Sequence, residues 1–240
     1  MKKFLLRLLA FAVPVLLYLS VPAYVLQRSG ESFRNPEDVI LSREKYLIGY
    51  AYNEQNYAWL KWKTVSEMPR KPVMALGSSR VLQFRKEMFT EDFYNAGYTV
   101  SGIRDFIPFL ESIPSEKYPK YLIIALDQWM FNPNWDNFSG KIDKNRWANS
   151  LNKNPNFAII NSVWKDLFAG KYSMNIPKPA DAEYIGLNAV VNHKGFRNDG
   201  SMDYGRQINE LLKDTIGHYK DTYHRMATGV RRFEYGPKIN

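Results

Sequence analysis

Three small polar groups of residues could together hold and attack an acyl carbon. They are Gly77, Ser78 and Ser79, then Asn95, Ala96 and Gly97, then Asp127 with Gln128. Ser79 comes just after a short apolar run, Val73, Met74, Ala75 and Leu76, and just before a helical pattern. A hydroxyl at the first turn of a helix is well placed as a nucleophile, because the helix dipole and free backbone N–H groups stabilise a developing oxyanion. Gly97 has no side chain and can bring its own N–H close. Gln128 adds a side-chain amide donor. A serine hydroxyl is a weak nucleophile without a base and a group that orients it. Asp221 and His224, three residues apart, have the spacing for that pair. Plainer readings compete. Gly-Ser-Ser after a strand is also an ordinary turn. In a helix, Asp221 and His224 fall on the polar side, away from Ile208, Leu212 and Tyr219, as a solvent-facing i,i+3 pair. His193 and His218 have no better partner by spacing.

The elements around these residues follow a regular order. Residues 73–76, 93–95 and 121–126 are short apolar runs ending in polar or small residues, the pattern of buried strands. Residues 81–89 read as a helix. Ser101 is placed to cap a second helix over 102–113, with Ile103, Phe106, Ile107 and Leu110 on one face and Pro114 closing it. Strand, helix, strand, helix, strand implies a parallel sheet with helices on both faces. Function in such sheets gathers at the carboxyl ends of the strands, where all three polar groups fall. Further along, residues 157–168 and 204–226 read as helices, and residues 195–201 as a turn-rich insert.

The blocks Gly77, Ser78, Ser79 and Asn95, Ala96, Gly97, followed by a third strand with a polar end, resemble the SGNH/GDSL hydrolase superfamily. The resemblance covers residues 70–132. It implies a three-layer α/β/α fold with a flavodoxin-like parallel sheet, with Ser79 as nucleophile and Gly97 as oxyanion glycine. Asp221 and His224 would match the spacing of that family's last block, Asp-x-x-His, although there the block lies in a loop after a strand. Ser78 stands where the family has Asp, and Asp127, Gln128 and Trp129 stand where it has Gly-x-Asn. These departures, with the apolar N-terminus, are more similar to the membrane-anchored envelope branch, which includes the D-alanyl-lipoteichoic-acid biosynthesis protein and the alginate-acetylation proteins. That branch implies a serine esterase or O-acyltransferase acting on an envelope glycan or lipid, or a non-catalytic relative that binds glycan or a membrane acyltransferase partner. It implies no cofactor and no metal.

Composition narrows the classes. The chain has 240 residues, 45% of them hydrophobic and 15% aromatic, which argues against disorder. It has no cysteine and three histidines, against a disulfide scaffold, a thiolate metal site or a histidine-rich metal centre. The net charge is +9, but Lys2, Lys3, Arg7 and Arg28, with no acid among them, carry four of those charges. The other basic residues are scattered rather than set in the stripe that nucleic acid requires. Residues 8–27 carry no charge and are long enough to cross a bilayer as a helix. The basic residues before them favour a cytoplasmic N-terminus with the rest outside. Val21, Pro22 and Ala23 could pass as a cleavage site, but the run is longer than a signal peptide's core, which favours an uncleaved anchor.

The expected organisation is therefore a cytoplasmic N-terminus (1–7), a transmembrane anchor (8–27), a membrane-proximal helical segment (28–70) and an SGNH-like α/β domain (71–240). The last is short for that family's whole sheet and final block. This points to a truncated product or to a relative that has lost the catalytic half.

Overall fold

The computed structural model describes residues 2–42, 44–132, 134, 142–177 and 183–228. In chain order the helices and strands begin with α1 (Lys2–Ser29), α2 (Pro36–Leu41), β1 (Tyr46–Ile48), α3 (Asn56–Glu67) and β2 (Val73–Leu76). Next come β3 (Phe93–Asn95), α4 (Phe106–Glu111), β4 (Tyr121–Ile124), α5 (Phe157–Phe168) and β5 (Glu183–Ile185). The chain continues with α6 (Leu187–Asn192), β6 (Gly195–Phe196), β7 (Met202–Asp203), α7 (Arg206–Lys213), α8 (Thr215–His218) and α9 (Lys220–Thr228). The architecture is mixed α/β, with helices around small sheets.

The three expected strands form one parallel sheet in the order β3-β2-β4, with Met74 beside both Tyr94 and Leu122. All four residues of β2 are buried, as a strand paired on both sides requires. β4 corrects an expectation. It ends at Ile124, and Tyr121 and Ile124 are exposed, because among the described residues no further strand pairs with its outer edge.

A second sheet, β5-β1-β6-β7, was not expected. β1 runs parallel to β5 and antiparallel to β6, and β7 is antiparallel to β6. Its strands are two or three residues long, and β1 lies inside the 28–70 segment that reads as helical. The 195–201 insert forms β6 and the turn into β7. α3 joins the two sheets. Tyr57 and Leu60 pack with Ile48 and Phe196, and Ala58 and Val65 pack against the cluster around Met74, Tyr94 and Phe106.

Three helical expectations changed for local reasons. The 81–89 stretch is two 3-10 turns, Ser79–Gln83 and Lys86–Met88. The Val81 and Phe84 carbonyls accept the Asn95 side-chain amide, at 2.6 and 2.9 Å, instead of continuing an α-helical ladder. The 102–113 helix opens as a 3-10 turn over Ile103–Asp105. There the Asp105 carboxylate, rather than Ser101, accepts the Ser101 and Gly102 N–H groups. The 204–226 helix breaks at Asp214, whose carboxylate accepts the Gly217 N–H at 2.8 Å. Such capping competes with the helical ladder, and the exposed Ile208, Leu212 and Met226 supply no core to oppose it.

α1 is long and apolar enough to cross a membrane, and Phe4, Leu9, Phe11, Leu16 and Leu17 are exposed on it. Its end is built into the domain. Val25 and Leu26 are fully buried with Ile159, Val163, Leu187 and Val190. The Glu31 carboxylate then accepts the N–H groups of Ala51, Tyr52, Asn53 and Leu187 at 2.7 to 3.0 Å. Burial pushes the Glu31 carboxyl up from its ordinary range, against those four donors. The Ser29 carbonyl also accepts the Gly186 N–H at 2.8 Å.

Candidate functional site

The β2, β3 and β4 registers bring all three polar groups to one edge of the parallel sheet. Gly77 packs so closely on Ala125 that an added Cβ would lie 2.9 Å from the Ala125 Cβ. Ser78 is extended, and its Oγ accepts the Arg80 N–H at 3.3 Å, which starts the 3-10 turn. This turn carries Arg80 outward and Val81 and Leu82 into the core.

The chemistry at this edge centres on Asp127. It lies just past β4 and is only 5% exposed. The Ser78 hydroxyl donates to Asp127 Oδ2, and Arg80 Nε lies 3.3 Å from Oδ1. The Arg80 guanidinium sits 4.5 Å from the centre of the Trp129 ring. A buried carboxylate needs such donors, since leaving it unpaired is costly. The Asp127 carbonyl accepts the Met130 N–H at 3.0 Å, so the residue also begins the turn Gln128–Phe131. Arg80 is 64% exposed, which leaves most of its fork open to solvent.

Ser79 is exposed, and among the described residues its hydroxyl has no hydrogen-bond partner. Gly97 is buried where a Cβ would meet Val81 Cγ2 at 2.4 Å. Its N–H, expected to face an oxyanion, donates to Asn95 Oδ1 at 2.9 Å. Asn95 therefore acts as a staple: its amide holds the Val81 and Phe84 carbonyls and its oxygen holds Gly97. Gln128 is exposed at the start of its turn. Asp221 and His224 lie exposed on α9. Among the described residues neither side chain forms a hydrogen bond or ion pair, with Ser79 or with each other. His193 lies at the end of α6 with φ +53°, edge-on to Tyr184.

Two residues carry more of this edge than their sequence positions suggest. Asp127 marks a strand end in the sequence, but its pairing with Ser78 follows only from the register of β4 beside β2. Lys61 sits in α3 among aromatics, and nothing in the sequence around it marks it out. It is fully buried and donates to the Asn95 carbonyl at 2.8 Å and to the Gly200 carbonyl. Its ammonium lies 3.9 Å from the centre of the Phe196 ring. Burial holds that ammonium well below the ordinary lysine range, with Asp199 opposing the shift. Lys61 thus ties the end of β3 to the turn between β6 and β7.

Among the described residues no group of three His, Asp or Glu side chains is placed to hold a metal ion. No protein-family model, no curated protein and no solved structure matches the chain.

Proposed function

We propose that this is a membrane-anchored, extracytoplasmic protein of SGNH-like build. Its strand-end edge binds an acylated envelope glycan or lipid, on behalf of a membrane acyltransferase partner, rather than cleaving the ester itself. One observation carries this reading: the edge spends its buried carboxylate on Ser78 and Arg80, and among the described residues no base stands beside Ser79. Asp127 takes a donor from the position where the family has Asp, and the Gly97 N–H is already engaged. A serine with no base beside it, and with the Gly97 N–H turned to Asn95, has little advantage over water as a nucleophile. The exposed Arg80 and the neighbouring Trp129 offer a charged, planar surface for a polar ligand.

The fold supports the SGNH-like assignment in one respect. The parallel strands lie in the order second, first, third, which is how a flavodoxin-like sheet begins. Among the described residues no strand pairs with the outer edge of β4, and the exposed Tyr121 and Ile124 there, with Leu126 just beyond, suit a partner. The anchor reading is supported by α1 running unbroken through Ala23 to Ser29, with its last turns in the core. The basic residues Lys2, Lys3 and Arg7 before the apolar run favour an inside N-terminus.

A second reading keeps the chain as a serine esterase or O-acyltransferase. It is favoured by the placement of Ser79 at the carboxyl edge of a parallel sheet and at the start of a helical turn. In that reading the base comes from His224 with Asp221 after α9 moves, or from the partner. The test is substitution in cells. The binding reading expects Ser79→Ala to keep full function and Arg80→Ala to lose it, with both proteins folded. Loss of function in Ser79→Ala alone selects the enzyme.

A further inference from the structure

The helix that reads as a membrane span has less free length than a bilayer needs. From Val21 onward α1 is engaged by the domain, with Pro22, Val25, Leu26 and Ser29 buried. The uncharged free stretch between Arg7 and the engaged part, Leu8 to Ser20, is about 20 Å long, from the rise of an α-helix. The hydrocarbon core of a bilayer is about 30 Å thick. The end of α1 is also fixed to the domain through Glu31 and Ser29 rather than by a loose linker. If α1 spans, the domain surface around Tyr18 must therefore complete the crossing.

The surface at that level belongs to α5. Trp164 stacks on Tyr18 with ring centres 6.2 Å apart, and Phe168 stacks on Trp164 at 5.4 Å. The Tyr18 hydroxyl donates to Asn161 Oδ1. Phe168 is 83% exposed. The indole N–H of Trp164 donates to the Tyr18 carbonyl at 2.9 Å. In an unbroken helix that carbonyl would accept the N–H four residues on, but position 22 is proline and has none. In water such a carbonyl can be hydrated. In hydrocarbon it needs a protein donor, and α5 supplies one. Tyr and Trp with one apolar and one polar end are the residues that favour the membrane interface, and Lys165, exposed in the same turn, is a cation for lipid phosphate.

We propose that α5 is an interfacial helix, with the Tyr18–Trp164–Phe168 stack set in the headgroup and upper acyl region of the leaflet on the domain side, so that the domain stands directly on the bilayer. This rests on the reading of α1 as a membrane span, and the test separates the two. The chain has no cysteine, so single cysteines can be labelled in the full-length protein. The variants Phe11→Cys, Phe168→Cys and Glu91→Cys, each carrying an environment-sensitive fluorophore, are reconstituted in vesicles of phosphatidylcholine and phosphatidylglycerol. Nitroxide lipids labelled near the headgroup or deep in the acyl chain act as quenchers. The expected result is deep quenching at position 11, shallow quenching at position 168, and quenching at position 91 only by aqueous iodide. If position 11 is quenched deeply while position 168 behaves like position 91, the span stands and the interfacial helix is overturned. If position 11 is not quenched by either lipid, both are overturned.

Discussion

The Ser78 hydroxyl donates to the buried carboxylate of Asp127, joining the carboxyl ends of β2 and β4. The neighbouring Ser79, the residue that resembles a nucleophile, makes no such contact. The two serines therefore differ in consequence. Ser78→Ala removes a donor from a buried charge and should cost about 1.5–3 kcal/mol. Ser79→Ala should change stability by less than about 0.5 kcal/mol, as an exposed substitution. Denaturant unfolding of the two variants in detergent measures the difference, and equal costs would contradict it.

Gly97 is packed tightly against core side chains. An added Cβ would lie 2.4 Å from Val81 Cγ2 and 2.8 Å from Asn95 Oδ1. Gly97→Ala should destabilise the protein by about 1–3 kcal/mol through overpacking. It should also disturb the Asn95 staple, visible as faster amide exchange at Gly97 and at Phe84, whose N–H closes the 3-10 turn.

Lys61 predicts a pH dependence with a definite sign. Its folded ammonium titrates well below the ordinary value of 10.5 because it is buried. Between that folded value and the unfolded one, the unfolded chain binds the extra proton. Stability therefore rises with pH across this window, by at most about 1.4 kcal/mol per pH unit, and the gain is lost as pH falls. Lys61→Met removes the titration, so the rise in stability from pH 7 to 9 should be steeper in the wild type than in the variant. Parallel curves would show that Lys61 does not titrate in this range. The variant should also be less stable throughout, since it leaves the Asn95 and Gly200 carbonyls without their donor.

Trp164→Phe keeps the stack between Tyr18 and Phe168 but removes the N–H that serves the carbonyl freed by Pro22. The loss should cost about 1–3 kcal/mol and should loosen α5 from α1. Hydrogen exchange in lipid should then show reduced protection over residues 157–168. Unchanged protection would show that the indole bond does not hold the two helices together.

How much of this was legible in the sequence depends on the range of the interaction. β2, β3 and β4 could be read because each is an apolar run whose own residues mark both ends. β1, β5, β6 and β7 could not, because strands of two or three residues exist only through their partners, which for β1 lie far along the chain, as with Tyr46 beside Glu183 and Ile48 beside Phe196. The residues of the strand-end edge were visible, but their bonding was not. Asn95 reads as part of a ligand-facing block and is instead a staple. The burial of Lys61 was not visible, because nothing local marks the two carbonyls that take its ammonium. The apolar run of α1 was plain, whereas α5 as its neighbour depends on a proline whose effect is felt at the carbonyl four residues earlier.

In the function proposed above, the strand-end edge holds its ligand and forms no acyl-enzyme. The most direct measurement treats purified, folded full-length protein with a fluorophosphonate probe and maps any adduct by mass spectrometry. A binding edge leaves Ser79 without an adduct, with wild type and Ser79→Ala indistinguishable. Stoichiometric labelling of Ser79 that disappears in Ser79→Ala would contradict it.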